Sequence, residues 1–537
     1  MTIGYADYQK SKNDRPLEVK GRTIMFLKSA LGRTRYLLPA LTSAIAVLSS
    51  ATTAFSQAGQ TQALTIADVF VPTSNWALSS EDAFALVRSG CMETLVATSF
   101  DLELTPGLAT AWRQIEPTVW EFDIRSGVKF QNGEDLNAAA VANALNQLLK
   151  GEVPARSFRP DQIKSIDAPS ASVLRITTNT EDAMFPFSVA TPFTGILAPS
   201  AFGENGAIDI TGTCTGPYEI VEVDGLSSLR MKRNEGYWGK KPAIEEVNLL
   251  FVPDANVRAT MVRSGQVDLA KELPLTALAQ LEATSGITTV MTPLLRTSAL
   301  IFNNDKEPLS NPAVREAISL VVDAGIISEV VFEGKYPPAV GPFGPSTPWA
   351  SPGAQPKAVD VEKAKELLAG AGIQPGSVSL EVIAINERPH FRDVAAILQQ
   401  QLQEIGIDVK IRTSDWAALE SEVLAGRYDM MLMSRGYVFE FADPLGHFRF
   451  DFTCDGSFNV AQYCDPNFDK LVEQAAATAD TEQRIELYRD LSEELLKNTV
   501  HHFLVHESTI DAYRGDLMNY KVDRLQLQYL NPDMKYE

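Results

Sequence analysis

The pattern of apolar and polar residues changes character once along the chain. From 64 to about 290 it consists of short alternating segments, such as 120–124 and 218–223, which predict half-buried strands joined by turns. One longer stretch, 137–150, places Ala, Val and Leu on one face and predicts a helix. This part of the chain is therefore predicted to consist of strands and turns with a few helices between them.

From about 293 the pattern becomes an alternation of strands and helices. Helices are predicted over 361–371, from 392 to 406 and over 416–425, with strands over 378–382, 408–412 and 428–433. Such an alternation indicates a partly parallel sheet covered by helices, so the predicted fold class is α/β. The change of pattern near 290–300 predicts two lobes.

The N-terminal region carries the features of an export signal. Residues 37–48 form an uncharged apolar run that follows Arg33 and Arg35, and small residues suitable for cleavage occur at 56–58. The run is about 12 residues long, which is shorter than the roughly 20 residues that span a bilayer. We therefore predict that residues 1–58 form a cleaved signal peptide, with Met25 as an alternative translation start.

The charge of the chain limits its partners. The net charge is −21, and removal of residues 1–58 leaves 39 basic and 65 acidic residues, a net charge of −26. A surface this acidic repels phosphate backbones, so nucleic acid is an unfavourable partner. No later segment reaches 18 apolar residues, and no cysteine lies near the cleavage site, so neither a membrane span nor a lipid anchor is predicted.

The four cysteines are compatible with disulfides in an oxidising compartment. Cys454 and Cys464 flank a polar segment of nine residues, and a disulfide across such a short loop contributes about 2–3 kcal/mol. Cys91 and Cys214 then form a second pair or remain as buried thiols. The spacings match no C-x-x-C zinc pattern, so the 454–464 disulfide is the favoured prediction.

A search for catalytic motifs finds little. The chain lacks G-x-S-x-G, Walker A and H-E-x-x-H motifs, and Gly-Ala-Gly at 370–372 resembles a helix C-cap more than a dinucleotide loop. His502 and His506 lie in a predicted strand, where they would be about 13 Å apart, too far to share one metal, although on a helix they could chelate. Glu440 and Asp443 could serve a glycosidase, but nothing else supports that hypothesis. No catalytic residue, metal or cofactor is predicted.

Eight short motifs, read in order, resemble one family. The motifs lie at 93–96 (ETLV), 106–112 (PGLATAW), 122–133 (FDIRSGVKFQNG), 212–218 (GTCTGPY), 233–239 (RNEGYWG), 264–268 (SGQVD), 311–315 (NPAVR), and 443–444 (DP) with 464–471 (CDPNFDKL). The motif at 212–218 is a G-T-G-P-Y pattern with a two-residue insertion. By these motifs the chain resembles the extracytoplasmic solute-binding proteins of family 5, which serve peptide, nickel and opine ABC importers.

This resemblance implies a two-lobed clamp that closes on a ligand. Lobe I would contain 59–292, with an inserted subdomain, and 508–537, and lobe II would contain 293–507. The chain would cross between the lobes near 294–301 and 503–509, and these crossings would form the hinge.

The resemblance also implies a function. The expected protein is a monomeric, non-enzymatic, substrate-binding component of an ABC importer that delivers peptides to a membrane permease and its ATPase. An unanchored binding protein would diffuse away from a single-membrane cell, so the expected location is the periplasm. The alternative ligand is nickel or another metal, bound as a chelate or an opine-type metallophore.

The resemblance suggests two residues for the charges of a peptide. Relatives hold the ligand amine with an aspartate three residues before Asp-Pro, where this chain has Glu440, and they meet the ligand carboxylate with an arginine that matches Arg392. A solvated Glu440 and an Arg392 in a surface ion pair are the alternatives. Trp416, Tyr437 and Asp443 complete the predicted ligand-binding set.

One departure from the family pattern bears on the ligand. Relatives often carry tryptophan in a W-x-x-D arrangement ahead of that aspartate, whereas this chain has no tryptophan there and adds Arg435. A further cation would suit a ligand with more carboxylates, such as an opine or a metallophore. Arg435 could equally form a structural ion pair. The departure therefore questions the peptide assignment and leaves the binding-protein assignment intact.

Overall fold

The alternating segments assemble into one long mixed sheet and three smaller sheets. The long sheet has ten strands in the order β14-β13-β15-β12-β16-β11-β1-β10-β9-β8, and a four-stranded sheet has the order β4-β5-β7-β6. The remaining two sheets pair β2 with β3 and β17 with β18. The strands are β1 Leu64–Asp68, β2 Val96–Thr98, β3 Leu104–Pro106, β4 Ala109–Glu116, β5 Val119–Ile124, β6 Ile163–Ser170, β7 Val173–Thr178, β8 Tyr218–Asp224, β9 Ser228–Arg233, β10 Glu246–Phe251, β11 Leu269–Ala270, β12 Ile287–Phe302, β13 Val378–Ile385, β14 Ile407–Ser414, β15 Met430–Gly436, β16 His501–Arg514, β17 Leu517–Met518 and β18 Lys535–Tyr536.

This structure is a computed structural model, and it describes residues 63–151, 155, 157–203, 207–353, 355–438, 441 and 443–537. The predicted signal peptide and Glu440 lie outside the described residues. None of the described helices is both long enough and apolar enough to cross a membrane.

Several of the helices begin at a residue whose side chain accepts a hydrogen bond from a free N–H group of the first turn. The Asn137 side chain accepts a hydrogen bond from the Ala140 N–H at the start of the helix predicted over 137–150. The helices are α1 Asp82–Arg88, α2 Ala138–Leu148, α3 Phe185–Ser188, α4 Ala255–Ser264, α5 Leu278–Glu282, α6 Pro312–Ser319, α7 Ala324–Phe332, α8 Val361–Gly370, α9 Phe391–Gln403, α10 Trp416–Leu424, α11 Pro444–Phe452, α12 Pro466–Ala477 and α13 Thr481–Lys497.

The part predicted to be α/β has the expected topology. Strand β13 pairs in parallel with both β14 and β15, and helices α9 and α10 connect these strands along the chain. The Gly-Ala-Gly segment at 370–372 ends α8, and Gly372 has φ +79°, so it is a helix terminus as predicted. The predicted partly parallel sheet is therefore confirmed.

The two longest strands, β12 and β16, extend through both predicted lobes. Residues 296–302 of β12 pair with β15, and its residues 287–293 pair with 508–514 of β16. These strands therefore belong to both predicted lobes, and we use lobe I and lobe II below for the parts predicted from sequence. The C-terminal segment returns to the lobe I core, where Leu517, Tyr529 and Met534 pack with Phe84 and Tyr218.

Both cysteine pairs are disulfide-bonded. Cys454–Cys464 closes the loop before α12, which confirms that prediction, and Cys91–Cys214 resolves the alternative of buried thiols. The second disulfide joins positions 123 residues apart within lobe I and links the segment after α1 to the segment before β8.

Candidate functional site

The crossing strands carry buried charged groups where they pass between the lobes. The ladder between β12 and β16 is interrupted between Pro293 and Thr297. Next to this break, the Ser298 hydroxyl donates a short hydrogen bond to Glu507, which is only 5% exposed. Arg296 donates to the Ser434 carbonyl and hydroxyl at 3.3 and 3.2 Å. The residues next to this break are therefore polar and are held by side-chain hydrogen bonds.

The loop that follows the parallel strand β13 faces the other lobe. Arg388 in this loop has its Nη1 3.9 Å from Oε2 of Glu272, which follows the lobe I strand β11. Glu272 has φ +49°, and its N–H donates to Asp511 Oδ1 at 3.0 Å while its carbonyl accepts from Arg258 Nη2 at 2.6 Å. Both residues thus lie at carboxyl ends of parallel strands, where α/β sheets bind ligands.

Burial and mutual charge set the protonation of this cluster. Burial and the nearby Arg388 cation lower the pKa of Arg296 to about 10, so Arg296 remains cationic at neutral pH. Burial acts to raise the pKa of Glu507, but Arg388 and Arg296 outweigh it and hold that pKa below its usual value. Burial lowers the pKa of His390 to about 4, so this imidazole is neutral. The cluster therefore combines two cations with carboxylates from both lobes.

A small cavity of about 10 Å³ lies between the predicted lobes beside this cluster. Such a volume has room for about one water molecule. Its lining comes from the crossing strand β12, the end of β15 and the C-terminal segment: Leu294, Leu295, Arg296, Gly436, Val438, Arg524, Leu525 and Gln526.

The predicted lobes also meet along a larger groove of about 520 Å³. Arg449 on α11 in lobe II pairs with Asp182 in lobe I, with Nη1 3.4 Å from Oδ2. Next to it, the rings of Phe187 and Phe441 contact each other with centroids 5.5 Å apart. These contacts join the two predicted lobes.

The predicted carboxylate ligand, Arg392, lies at the surface. It is the second residue of α9 and is exposed, and its Nη2 donates to Asn386 Oδ1 at 2.8 Å. Arg388, four residues earlier, reaches the other lobe instead. A ligand contact by Arg392 stays a prediction.

Arg435 forms an ion pair in lobe II. Its Nε and Nη2 donate to the two carboxylate oxygens of Asp451 at 2.6 and 2.7 Å, and its guanidinium lies 4.6 Å from the centre of the Phe458 ring. His447 Nδ1 contacts the same carboxylate at 3.0 Å, and Trp416 packs on Phe458 at 5.7 Å. The structural ion pair considered from the sequence is present, and ligand contacts by Arg435 and Trp416 stay predictions.

Tyr437 and Asp443 have mainly structural surroundings. Tyr437 is 3% exposed, its ring packs on Phe343 at 4.9 Å, and burial raises its pKa to about 12. Asp443 caps α11 by accepting the Leu445 N–H at 2.9 Å, and it accepts a short hydrogen bond from Tyr488. Their predicted ligand contacts are therefore not visible in these surroundings and stay predictions, as does the contact assigned to Glu440.

The histidines lie in a strand, as predicted. His501, His502 and His506 belong to β16, and burial lowers the pKa of His501 to about 3. Within the described part of the chain, no group of three or more His, Cys, Asp or Glu side chains is arranged to hold a metal ion.

Sequence reasoning missed Arg296, Arg388 and Glu507. Arg388 had a usable signal, because it follows a predicted parallel strand at the edge where such sheets bind ligands. Arg296 and Glu507 had none, because Arg296 reaches Ser434 only when β12 pairs with β15, and Glu507 reaches Ser298 only when β16 lies beside β12.

One known protein family matches most of the chain. The family described as "Bacterial extracellular solute-binding proteins, family 5 Middle" matches residues 103–459, about two thirds of the chain. The match includes the loop after β13 and the strand that carries Arg296.

Individual relatives are similar over most of their length. The nickel-binding protein NikA of Staphylococcus aureus is 24% identical over 462 residues, covering 85% of this chain and 91% of the relative. The dipeptide-binding protein of Escherichia coli is 25% identical over 455 residues, covering 79% and 84%. The periplasmic binding protein DppA of Helicobacter pylori, solved with the peptide STSA, superposes with a TM-score of 0.76 at 24% identity over 87% of this chain and 98% of that one. The predicted two-lobed α/β fold is confirmed.

Proposed function

The chain belongs to family 5 of the bacterial extracellular solute-binding proteins, and on that premise we propose that it captures short peptides outside the cytoplasm. Members of this family are substrate-binding components of ABC importers, so the protein is a binding protein and not an enzyme. The peptide assignment draws support from relatives named for dipeptides and di- or tripeptides.

The observation that carries this proposal is the charged contact between the lobes. Arg388 and Arg296 bring two cations to the interlobe face of lobe II, opposite Glu272 of lobe I. A peptide that enters such a cleft loses its water, so its charged ends need opposite charges in the protein. The two arginines supply the charge for the terminal carboxylate, and Glu440 remains the predicted partner of the ammonium group.

Location and partners follow from the same assignment. We propose a periplasmic location after cleavage of the signal peptide near residues 56–58, with a monomer as the working unit. The partners would be an inner-membrane permease and its ATPase subunits, which receive the ligand when the lobes open. The lobe boundaries near 293 and 507 are part of this proposal.

Native mass spectrometry of the mature protein as purified tests the ligand class. Denaturation should release short peptides, which tandem mass spectrometry identifies. A panel of peptides with free and acetylated N-termini then tests the need for an ammonium group.

The alternative ligand is a metal chelate. A relative named for nickel favours this second candidate. Release of a metal together with a small polycarboxylate, measured by elemental analysis and mass spectrometry, would replace the peptide assignment. Release of neither, combined with no binding from the panel, would refute the peptide proposal.

A further inference from the structure

A cavity of about 380 Å³ lies in predicted lobe II, in a part of the fold that the proposed function does not use. Most of its lining comes from one proline-rich segment, 337–356, and the rest comes from Ser492 of α13 and His506 of β16. An apolar cavity of about 150 Å³ can bind benzene, so this one has room for a molecule of one or two rings.

The cavity lies on the opposite face of the crossing strands from the charged cluster. Thr297 pairs with His506 across β12 and β16, whereas the next residue of β12, Ser298, donates to Glu507. Successive side chains of a strand point to opposite faces, so His506 points away from Glu507. The His506 N–H donates to the Pro337 carbonyl at 3.0 Å, which places the proline-rich segment beside β16. A molecule in this cavity would therefore contact β16 without entering the cleft between the predicted lobes.

The imidazole of His506 is buried and is held by contacts of its side chain. It is 6% exposed, and its Nδ1 lies 3.0 Å from Thr297 Oγ1. The Thr297 hydroxyl donates its single hydrogen to the Pro342 carbonyl at 2.7 Å, so Nδ1 is the donor in the contact with Thr297. Gly344 faces the same side of the ring, where an added Cβ would lie 3.6 Å from Cγ. The other edge of the ring, which carries Nε2, is thus the one left to face the cavity.

The buried polar side chains of the lining can accept a hydrogen bond but cannot donate one. Burial lowers the pKa of His506 to about 4, so the ring is neutral at pH 7. With the proton on Nδ1, Nε2 is an acceptor, and it has no hydrogen-bond partner among the described residues. Ser492 is 2% exposed and donates its hydroxyl hydrogen to the Tyr488 carbonyl at 2.7 Å. A ligand that satisfies these groups must bring the N–H or O–H donor itself.

The remaining lining indicates the character of the ligand. None of the lining residues in the described part of the chain is charged, and position 354, which lies outside the described residues, is alanine. A charged ligand would lose its water here without gaining an opposite charge. Phe343 is 4% exposed and adds an aromatic ring to the wall. These features favour a neutral molecule with an apolar ring and one hydrogen-bond donor.

We propose that this cavity, the His506 cavity, binds a small neutral aromatic molecule whose N–H or O–H group donates to His506 Nε2. The prolines of segment 337–356 and Phe343 would contact the ring of that molecule. The site goes beyond the proposed peptide function, because it lies outside the cleft and is available whether or not a peptide is bound.

The test uses two probes of the same shape, indole and benzofuran, in which an oxygen replaces the N–H group. Calorimetry measures the binding of each to the mature protein. His506→Phe keeps a ring but removes the acceptor, and Val340→Trp fills the cavity from its half-buried wall and leaves His506 in place. His502→Phe is the matched control, because His502 lies on the same strand with a buried, unpartnered Nε2 among the described residues but does not line the cavity.

The wild type should bind one indole per chain, about fivefold more tightly than benzofuran, as one net hydrogen bond provides. His506→Phe should bind both probes equally, at the wild-type affinity for benzofuran. Val340→Trp should bind neither, and His502→Phe should match the wild type. Melting curves identify any variant that has not folded, and the wild type with Val340→Trp suffices if His506→Phe is lost.

Several results would overturn the proposal. These are no binding of indole by the wild type, equal binding of the two probes, a preference for indole that persists in His506→Phe, or indole binding that persists in Val340→Trp. A dimer in native mass spectrometry that dissociates in Val340→Trp, with no indole bound, would assign the cavity to a second copy of the chain. Indole affinity should be the same with and without a bound peptide, so failure of the peptide function would leave this test unaffected.

Discussion

The ion pair between Arg449 and Asp182 should stabilise the closed state by an amount that can be measured. It joins predicted lobe II to predicted lobe I, and neither residue belongs to the cluster of Arg296, Arg388 and Glu507. Asp182→Asn removes the charge but keeps the Oδ1 acceptor used by the Met184 N–H at 3.0 Å. Arg449→Gln removes the other partner.

The expected magnitude follows from the geometry. At 3.4 Å and an effective dielectric constant of about 20, the attraction between two unit charges is about 5 kcal/mol. The side chains are 25% and 15% exposed, so desolvation and ordering cancel most of this attraction, and measured pairs of this kind contribute about 0.5–1 kcal/mol. The ratio of closed to open protein should therefore fall about two- to fivefold, and ligand dissociation should accelerate by that factor.

A double-mutant cycle with ligand affinity as the readout tests this reasoning. Each single variant should weaken ligand binding two- to fivefold. Because both remove the same ion pair, the double variant should lose about as much binding free energy as one single variant, and less than the sum of the two. Glu222→Gln is the control, because Glu222 pairs with Arg230 inside lobe I at 2.8 Å. Strictly additive losses, or equal losses at 0.05 and 1 M salt, would show that the pair does not hold the lobes together.

Further predictions concern ligand affinity, the Cys91–Cys214 disulfide and the pH dependence of stability. Arg388→Gln should weaken peptide binding at least tenfold. Calorimetry on Arg392→Gln tests the carboxylate contact predicted for Arg392, and a loss of affinity under twofold would contradict that contact. Replacing Cys91 and Cys214 with alanine should lower the free energy of unfolding by about 5 kcal/mol, as the 123-residue separation requires, and urea titration that finds under 1 kcal/mol would contradict this. Burial lowers the pKa of His501 to about 3, so below pH 6.5 the unfolded chain binds a proton that the folded protein does not. The free energy of unfolding should therefore fall on acidification by up to about 1.4 kcal/mol per pH unit. Melting curves of His501→Phe between pH 7 and 5 should depend less on pH than those of the wild type, and an identical dependence would refute this reasoning.

Local patterns predicted the elements well because their causes are local. The helix predicted over 137–150 begins at a capping Asn137, and the strand predicted over 378–382 is the core of β13. Apolar periodicity and capping residues act within a few residues of each other, so one sequence is enough to read them.

The site was harder to predict because its partners come from distant parts of the chain. Arg388 lies near Glu272, which is 116 residues earlier in the chain, so no local pattern could pair them. Arg392 lies at the start of a helix and Asp443 caps another, and the ligand contacts of both residues stay predictions.

The position of the charged cluster suggests how binding and closure are connected. Arg296 and Glu507 lie on β12 and β16, the strands that cross between the lobes, and Arg388 lies in the loop after a neighbouring strand. An anion that binds Arg296 would therefore contact the crossing strand itself. Burial and then repulsion from Arg388 lower the pKa of Arg296, and the anion would offset that repulsion. That relief is available only when the lobes enclose the anion and exclude water, because solvent screens the same charges in an open cleft. Ligand charge and closure should thus be coupled through these residues, with the affinity difference between open and closed states as the source of the coupling.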